Sequence, residues 1–173
     1  SYSNFPNQGF ISATLEPNEI DPIKQEIEQI QKDFANSTVE ELGNAGNLKN
    51  NFALQTSLPT LQTIVQPLCK KYCEVFAHGD RTQNEFNLKN AWVNYQSKHE
   101  YFGNHTHNGL FSFALWIKVP YTIQQEQEHV NYSNRNIQRF PAFHFHYTDA
   151  LGTIRNQIIP VDKTYENKLI LFP

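Results

Sequence analysis

The strongest constraint on the fold is a change of hydrophobic period near the middle of the chain. In the first half, apolar residues recur at helical spacing. Asp21-Pro22 reads as an N-cap and first-turn pair, followed by Ile23, Ile27, Ile30 and Phe34. A second amphipathic helix is expected from Thr60, carrying Leu61, Ile64, Val65, Leu68, Tyr72, Val75 and Phe76, with Pro67 as a potential kink and residues 77–80 as its end. Between them, residues 36–51 hold Gly43 and Gly46 among many asparagines and read as a loop. The second half changes character. Trp92, Asn94 and Gln96 alternate with Val93 and Tyr95, residues 110–118 read as a long strand ended by Pro120, and further strands are expected over 140–147, 154–159 and 168–172. Residues 124–136, rich in glutamine, read as a loop, and Gly152 and Asp162 mark turns. Helices followed by a run of strands predict an α+β domain with helices on an antiparallel sheet, and strand after strand points to a barrel or jelly roll. We read residues 1–173 as one domain, with mainly helical support over 1–85 and strands over 86–173.

A chain of 173 residues is long enough for one core, and much of its volume must come from the 13 Phe, 8 Tyr and 2 Trp. The net charge is only −3, and abundant Asn and Gln make the surface polar more than charged. That argues against nucleic acid or an anionic membrane as partner. No run of about 18 apolar residues is present, so no membrane-spanning helix is expected. The opening Ser1-Tyr2-Ser3-Asn4 has neither the basic flank nor the apolar run of a signal peptide. Cys69 and Cys73 lie four apart on one helical face, where a disulfide would distort the helix; they read as reduced core thiols, in keeping with a cytoplasmic location. Because the chain stops on the apolar Leu169-Ile170-Leu171-Phe172-Pro173, further residues are expected beyond Pro173.

The chemistry concentrates in Asn104-His105-Thr106-His107-Asn108-Gly109, between two strand-like segments. Two histidines at i and i+2 on extended backbone project to one face. Three readings stand: plain surface histidines, a zinc or cupin-like metal site, and a non-haem Fe(II) site in which two His and a third ligand leave positions open. Asn94 and Gln96 share a face of the preceding strand and can hydrogen-bond a carboxylate or carbonyl, or simply form an exposed polar face. Ser112 follows the histidines, with Phe111 and Phe113 on the opposite face, and Gly109 permits a close approach after His107. His144 and His146 repeat the i, i+2 spacing among Phe143, Phe145 and Tyr147 and read as outward-facing or barrel-lining. His78, His99 and His129 fall in turns or loops. Arg155 and Lys118 are the basic candidates for an anionic cosubstrate, and Trp92, Phe113 and Trp116 are candidate wall or core residues.

Trp92-Val93-Asn94-Tyr95-Gln96, then His105-Thr106-His107-Asn108-Gly109, then Phe111-Ser112-Phe113-Ala114-Leu115-Trp116-Ile117-Lys118-Val119-Pro120-Tyr121 resembles the 2-oxoglutarate/Fe(II) oxygenases common in marine cyanophages and bacteria. Pro6-Asn7-Gln8-Gly9-Phe10-Ile11, Tyr147-Thr148-Asp149-Ala150-Leu151-Gly152, and Lys163-Thr164-Tyr165-Glu166 leading into Leu171-Phe172-Pro173 fit the same pattern. The resemblance thus covers most of the chain, and residues 92–121 are its specific part.

The resemblance implies a double-stranded β-helix (jelly-roll) core with helices packed outside, incomplete at the C-terminus of this sequence. It implies a non-haem Fe(II)- and 2-oxoglutarate-dependent dioxygenase that hydroxylates a small molecule or a protein side chain, with prolyl hydroxylation a family-level association only. His105 and His107 would be the first two metal ligands, where most of the superfamily has HxD or HxE. Asn94 and Gln96 match an Asn-x-Tyr pair that touches 2-oxoglutarate, with Gln in place of Tyr, and Ser112 joins them as a cofactor-binding candidate. A distal His and a 2-oxoglutarate-binding Arg are expected just past Pro173. The location implied is cytoplasmic, the host cytoplasm for a phage-encoded chain. The loop over 124–136 follows a barrel strand and is a candidate cover for the site. Two other classes compete: a metal-binding cupin-like protein without oxygenase activity, and a virion or structural protein that reuses the fold.

Overall fold

A computed structural model describes residues 9–39, 46–76, 84–128 and 141–173. The elements run β1 (Ile11–Thr14), α1 (Pro17–Lys32), a 3-10 turn (Phe34–Asn36), β2 (Asn50–Ala53), α2 (Leu58–Val75), β3 (Trp92–Tyr95), β4 (Ser112–Leu115), α3 (Ile123–Glu128), β5 (Ala142–Thr148), β6 (Ile154–Pro160), a 3-10 turn (Lys163–Tyr165) and β7 (Lys168–Phe172). The molecule is α+β, as the change of period predicts. Its strands form three antiparallel ladders, β1-β7-β4, β2-β3 and β5-β6. No sheet closes into a barrel among the described residues.

α1 buries Ile20, Ile23, Ile27 and Ile30, an apolar stripe at helical spacing. The helix starts earlier than Asp21-Pro22. Pro17 takes the first turn, and the Glu19 carboxylate accepts the Glu16 N–H at 2.8 Å. Pro22 then lies inside the helix, where its missing N–H costs one bond to the carbonyl of the exposed Asn18. α2 likewise starts before Thr60, at Leu58, with Pro59 in its first turn, and runs through Pro67. Its proposed end at residues 77–80 lies outside the described residues apart from the cap at Phe76. Cys69 and Cys73 are buried thiols on its inner face, and burial, with the neighbouring Cys73, pushes the Cys69 thiol up to about 11.

The first half is mainly helical and the second mainly strand, though β1 and β2 lie in the first half and α3 in the second. The expected loop over 36–51 includes the start of β2, which pairs Asn50↔Tyr95 through Ala53↔Trp92. The long strand over 110–118 shortens to Ser112–Leu115. The Trp116 N–H donates to the Lys168 carbonyl at 3.1 Å, and the Trp116 carbonyl accepts from Asn167 at 2.8 Å. Asn167, at φ 64, turns the partner chain away there and ends the ladder. The expected loop over 124–136 begins as α3, and its remainder from residue 129 lies outside the described residues.

β7 is central to its sheet and is buried on both faces, with Leu169 at 0%, Ile170 at 1% and Leu171 at 1% exposure. Leu169 and Leu171, opposite Leu115 and Phe113, join the helical core of α1 and α2. Ser112 and Phe172 pair on the other face, where Trp116 also lies. There the rings of Phe143 and Phe145 from β5 stand 5.6 and 5.0 Å from Phe172, and Trp116 stands 5.7 Å from Phe143. An aromatic layer therefore joins the β5-β6 hairpin to the three-stranded sheet.

One carboxylate ties α1 to the start of α2. Glu26, in α1, accepts the N–H groups of Gln55, Thr56 and Ser57 at 2.6, 2.9 and 2.8 Å, together with the Ser57 hydroxyl. It thus serves backbone donors at the N-terminus of α2 that the helix itself leaves without partners. Burial works to raise the Glu26 carboxyl, but the Ser57 hydroxyl and the three N–H groups outweigh it and hold it below the ordinary 4.5. A depressed carboxyl contributes stability that is present above its unfolded value and lost as pH falls through the folded one. Glu26→Gln should therefore lower stability by about 1–3 kcal/mol at neutral pH, with the gap to the parent shrinking below pH 4.5. Urea melts across pH 3 to 7 check this, and a pH-independent gap would show that the charge is not the source.

Candidate functional site

The two histidines sit between β3 and β4, but not on a strand: residues 103–107 have irregular backbone. The strand expected there is not found, yet the two rings do lie on one side, as the i, i+2 spacing expects, with centroids 4.5 Å apart and Nε2 of His105 2.8 Å from Nε2 of His107.

The scaffold that bends this loop is non-local. Asn47 clamps Tyr101 from both sides: its N–H donates to the Tyr101 carbonyl at 3.1 Å and its side-chain oxygen accepts the Tyr101 N–H at 2.6 Å. Gly46 bridges to Phe102. A Cβ at Gly46 would stand 2.3 Å from the Tyr101 carbonyl oxygen, so only glycine lets the two chains meet. The close approach expected at Gly109 is not found, because a Cβ there would meet nothing nearer than 3.6 Å. Gly103, next to this bridge, offers its carbonyl to His105 Nδ1 at 2.8 Å.

That contact fixes the chemistry of the pair. A carbonyl only accepts, so His105 Nδ1 carries its proton and Nε2 presents a lone pair. In the chain alone, His107 Nε2–H donates to that lone pair. The same spacing suits a shared cation. Two imidazole nitrogens about 2.1 Å from one ion, at right angles, stand about 3 Å apart. A ligating His whose other nitrogen donates to a backbone carbonyl is the usual supporting arrangement.

Aromatic rings wall the pair. Trp92 stacks on His107 with centroids 6.0 Å apart and planes 16° apart, and Phe172 meets it edge-on at 6.4 Å. Phe102 lies 4.2 Å from His105. The outer edges of both imidazoles remain exposed. Loss of water around His107, and then the neighbouring His105, hold its imidazole below the ordinary 6.5. His107 is thus neutral at pH 7, the form that can ligate a metal.

The other candidates distribute unevenly. Asn94 is exposed on β3 and shares the Trp92 face. Gln96 has left the strand and its Nε2 donates to the Glu100 carbonyl, which holds it in a local turn. Ser112 lies opposite Phe172 and so on the aromatic face. Phe113 packs into the helical core, whereas Trp116 belongs to the aromatic layer. Arg155 is held across its hairpin by Asp149 at 2.7 Å, and Lys118 is exposed; no contact brings either to the histidines. His144 and His146 point outward from β5, rings parallel and 6.1 Å apart. His78 and His129 lie outside the described residues, and His99 occupies a turn at φ 70. Among the described residues no group of three or more His, Cys, Asp or Glu gathers around a point, so no third such side chain joins the pair there. A groove of about 490 Å³ between β1, α1 and α2 contains none of these residues. No helix among the described residues is long and apolar enough to cross a membrane.

Sequence reasoning missed Asn51. It stands opposite Asn94 on β2 and is only 9% exposed. Its placement depends on the β2-β3 pairing, which a four-residue strand rich in asparagine does not announce.

No family model matches the chain, and neither a curated protein nor a solved structure matches it.

The stacking geometry predicts an optical signal. Protonated imidazole quenches indole emission, so tryptophan fluorescence should fall on acidification with a midpoint below 6.5. The step should vanish in His107→Ala. A step that survives this substitution would place the titrating group elsewhere.

Proposed function

We propose that the protein is a non-haem Fe(II)- and 2-oxoglutarate-dependent dioxygenase in which His105 and His107 hold the metal. One observation carries the reading: two Nε2 atoms 2.8 Å apart, with His105 Nδ1 committed to the Gly103 carbonyl. The donor set fits a borderline divalent cation such as Fe(II). Imidazole in place of the usual carboxylate leaves the site one negative charge short, which weakens or retunes the metal. When bound, iron with 2-oxoglutarate supplies oxidising power for hydroxylating a C–H bond.

The chain's own residues do the rest. Gly103 fixes the ring orientation of His105, and Trp92 and Phe172 hold His107 and keep water from one side of it. Asn94 and Ser112, on neighbouring walls, are the residues placed to hydrogen-bond 2-oxoglutarate. Gln96 is spent in its turn and is dropped from that role. The third ligand and the cation that pairs with 2-oxoglutarate come from outside the described residues. Phe172 brings the end of β7 to His107. The jelly-roll reading is supported by the aromatic layer between two sheets, with the histidines beside it at Phe172.

That only two candidate ligands meet among the described residues favours one second reading, a metal-binding protein without oxygenase activity. Protein purified without air separates the two. Bound iron and succinate formed from 2-oxoglutarate support the first reading; bound zinc without succinate supports the second. His105→Ala should abolish metal binding and leave the melting temperature nearly unchanged, because the ring is exposed. His107→Asp should still bind. Unfolding of His105→Ala, or one equivalent of iron retained in it, refutes the ligand assignment.

A further inference from the structure

The β2-β3 ladder has two unlike faces. Phe52, Val93 and Tyr95 pack into the helical core. Asn51, Ala53, Trp92 and Asn94 share the opposite face, because partners in an antiparallel register point the same way. Trp92 lies on His107, so this second face is a wall of the histidine site.

Asn51 is anomalous on that wall. It is 91% buried by its 9% exposure, yet its Oδ1 has no hydrogen-bond partner among the described residues. A buried carboxamide left unpaired is costly and seldom kept without a reason. Ala53, two positions along the same face, shows that an apolar residue is accommodated on this side of the ladder. Asn51 stands directly across from Asn94 and two positions along the face from Trp92, a diagonal of about 7–8 Å. Two carboxamides therefore share a ladder face with the indole that stacks on His107, and among the described residues none in contact with either imidazole carries a formal charge.

We infer that Asn51 is a ligand-binding residue of the two-histidine site and that its carboxamide pairs with a planar, uncharged amide group of the substrate. An amide carries an N–H donor and so can satisfy the unpaired Oδ1. A carboxylate offers only acceptors and leaves Oδ1 unpaired. Oδ1 is shut off from solvent in the unliganded chain. Pairing therefore involves rotation about χ2, the broad and soft torsion of asparagine. The inference rests on the reading of the histidine pair as a ligand site, but not on the metal's identity.

The test uses two matched probes, N-acetylglycinamide and N-acetylglycine, which differ in an amide against a carboxylate. Binding is followed by NMR at the Trp92 indole N–H and the His107 ring. The amide should give saturable shifts and the acid should not. Asn51→Leu should weaken the amide about tenfold, as expected for one lost hydrogen bond and its desolvated partner, while the unliganded melting temperature stays level or rises. Asn51→Asp keeps an acceptor and should retain the amide within a few-fold; it decides the matter if Asn51→Leu fails to fold. The inference is overturned by equal or tighter binding of the acid, by amide binding that ignores Asn51→Leu, by its loss in Asn51→Asp, or by no saturable shift at all. A parallel Fe(II) titration keeps the two readings apart. Amide binding without metal binding sinks the oxygenase reading and leaves Asn51 in place; metal binding without amide binding does the reverse.

Discussion

Burial of β7 on both faces is the constraint from which the other parts take their positions. Leu169 and Leu171 close the helical core, Ile170 lies on the opposite side, and Phe172 ends the strand against His107. Fully burying three such aliphatic side chains is worth about 1.5–3 kcal/mol each. A strand covered on both sides reads as a continuous apolar run, and Leu169-Ile170-Leu171-Phe172 does so. β1 and β4 pair with its two edges, so both are positioned by it. The aromatic layer and the histidine loop are then built outward from its far face.

The histidine site depends on a second set of contacts, remote from that strand in sequence. Asn47 and Gly46 pin Tyr101 and Phe102, which places the Gly103 carbonyl under His105. The geometry of the histidine pair is therefore a property of two chain segments some 50 residues apart, as the Asn47–Tyr101 separation of 54 illustrates. Trp92 and Phe172 add walls from two different ladders. The loop is irregular, yet each ring is held on at least two sides.

Helical periodicity was legible because α1 and α2 repeat their buried residues over about three turns each, which averages out local noise. Ile23, Ile27 and Ile30, like Leu61, Ile64 and Val65, could be read directly. β1 and β2 were not legible, since four residues give two alternations at most, and Asn50 and Asn51 look like loop. The histidines were visible as a motif, but their convergence was hidden. Same-face spacing does not by itself bring two ring nitrogens together, and the Gly103 carbonyl that orients His105 follows directly on the Gly46 and Asn47 contacts. Gln96 illustrates the same limit, for alternation placed it on β3 while Glu100 draws it into a turn. Asn51 had no signal of its own in an asparagine-rich stretch; only its burial and register set it apart.

The β5-β6 hairpin has a consequence of a different kind. Its ladder is two-stranded and pairs with no other strand among the described residues, so it is attached through one layer of rings. Such a unit can detach while the helical core stays intact, on the timescale of local opening and not of global unfolding. Each detachment would bare one side of Phe172, the ring that meets His107 edge-on, and amides of β5 and β6 should exchange with solvent sooner than those of β7.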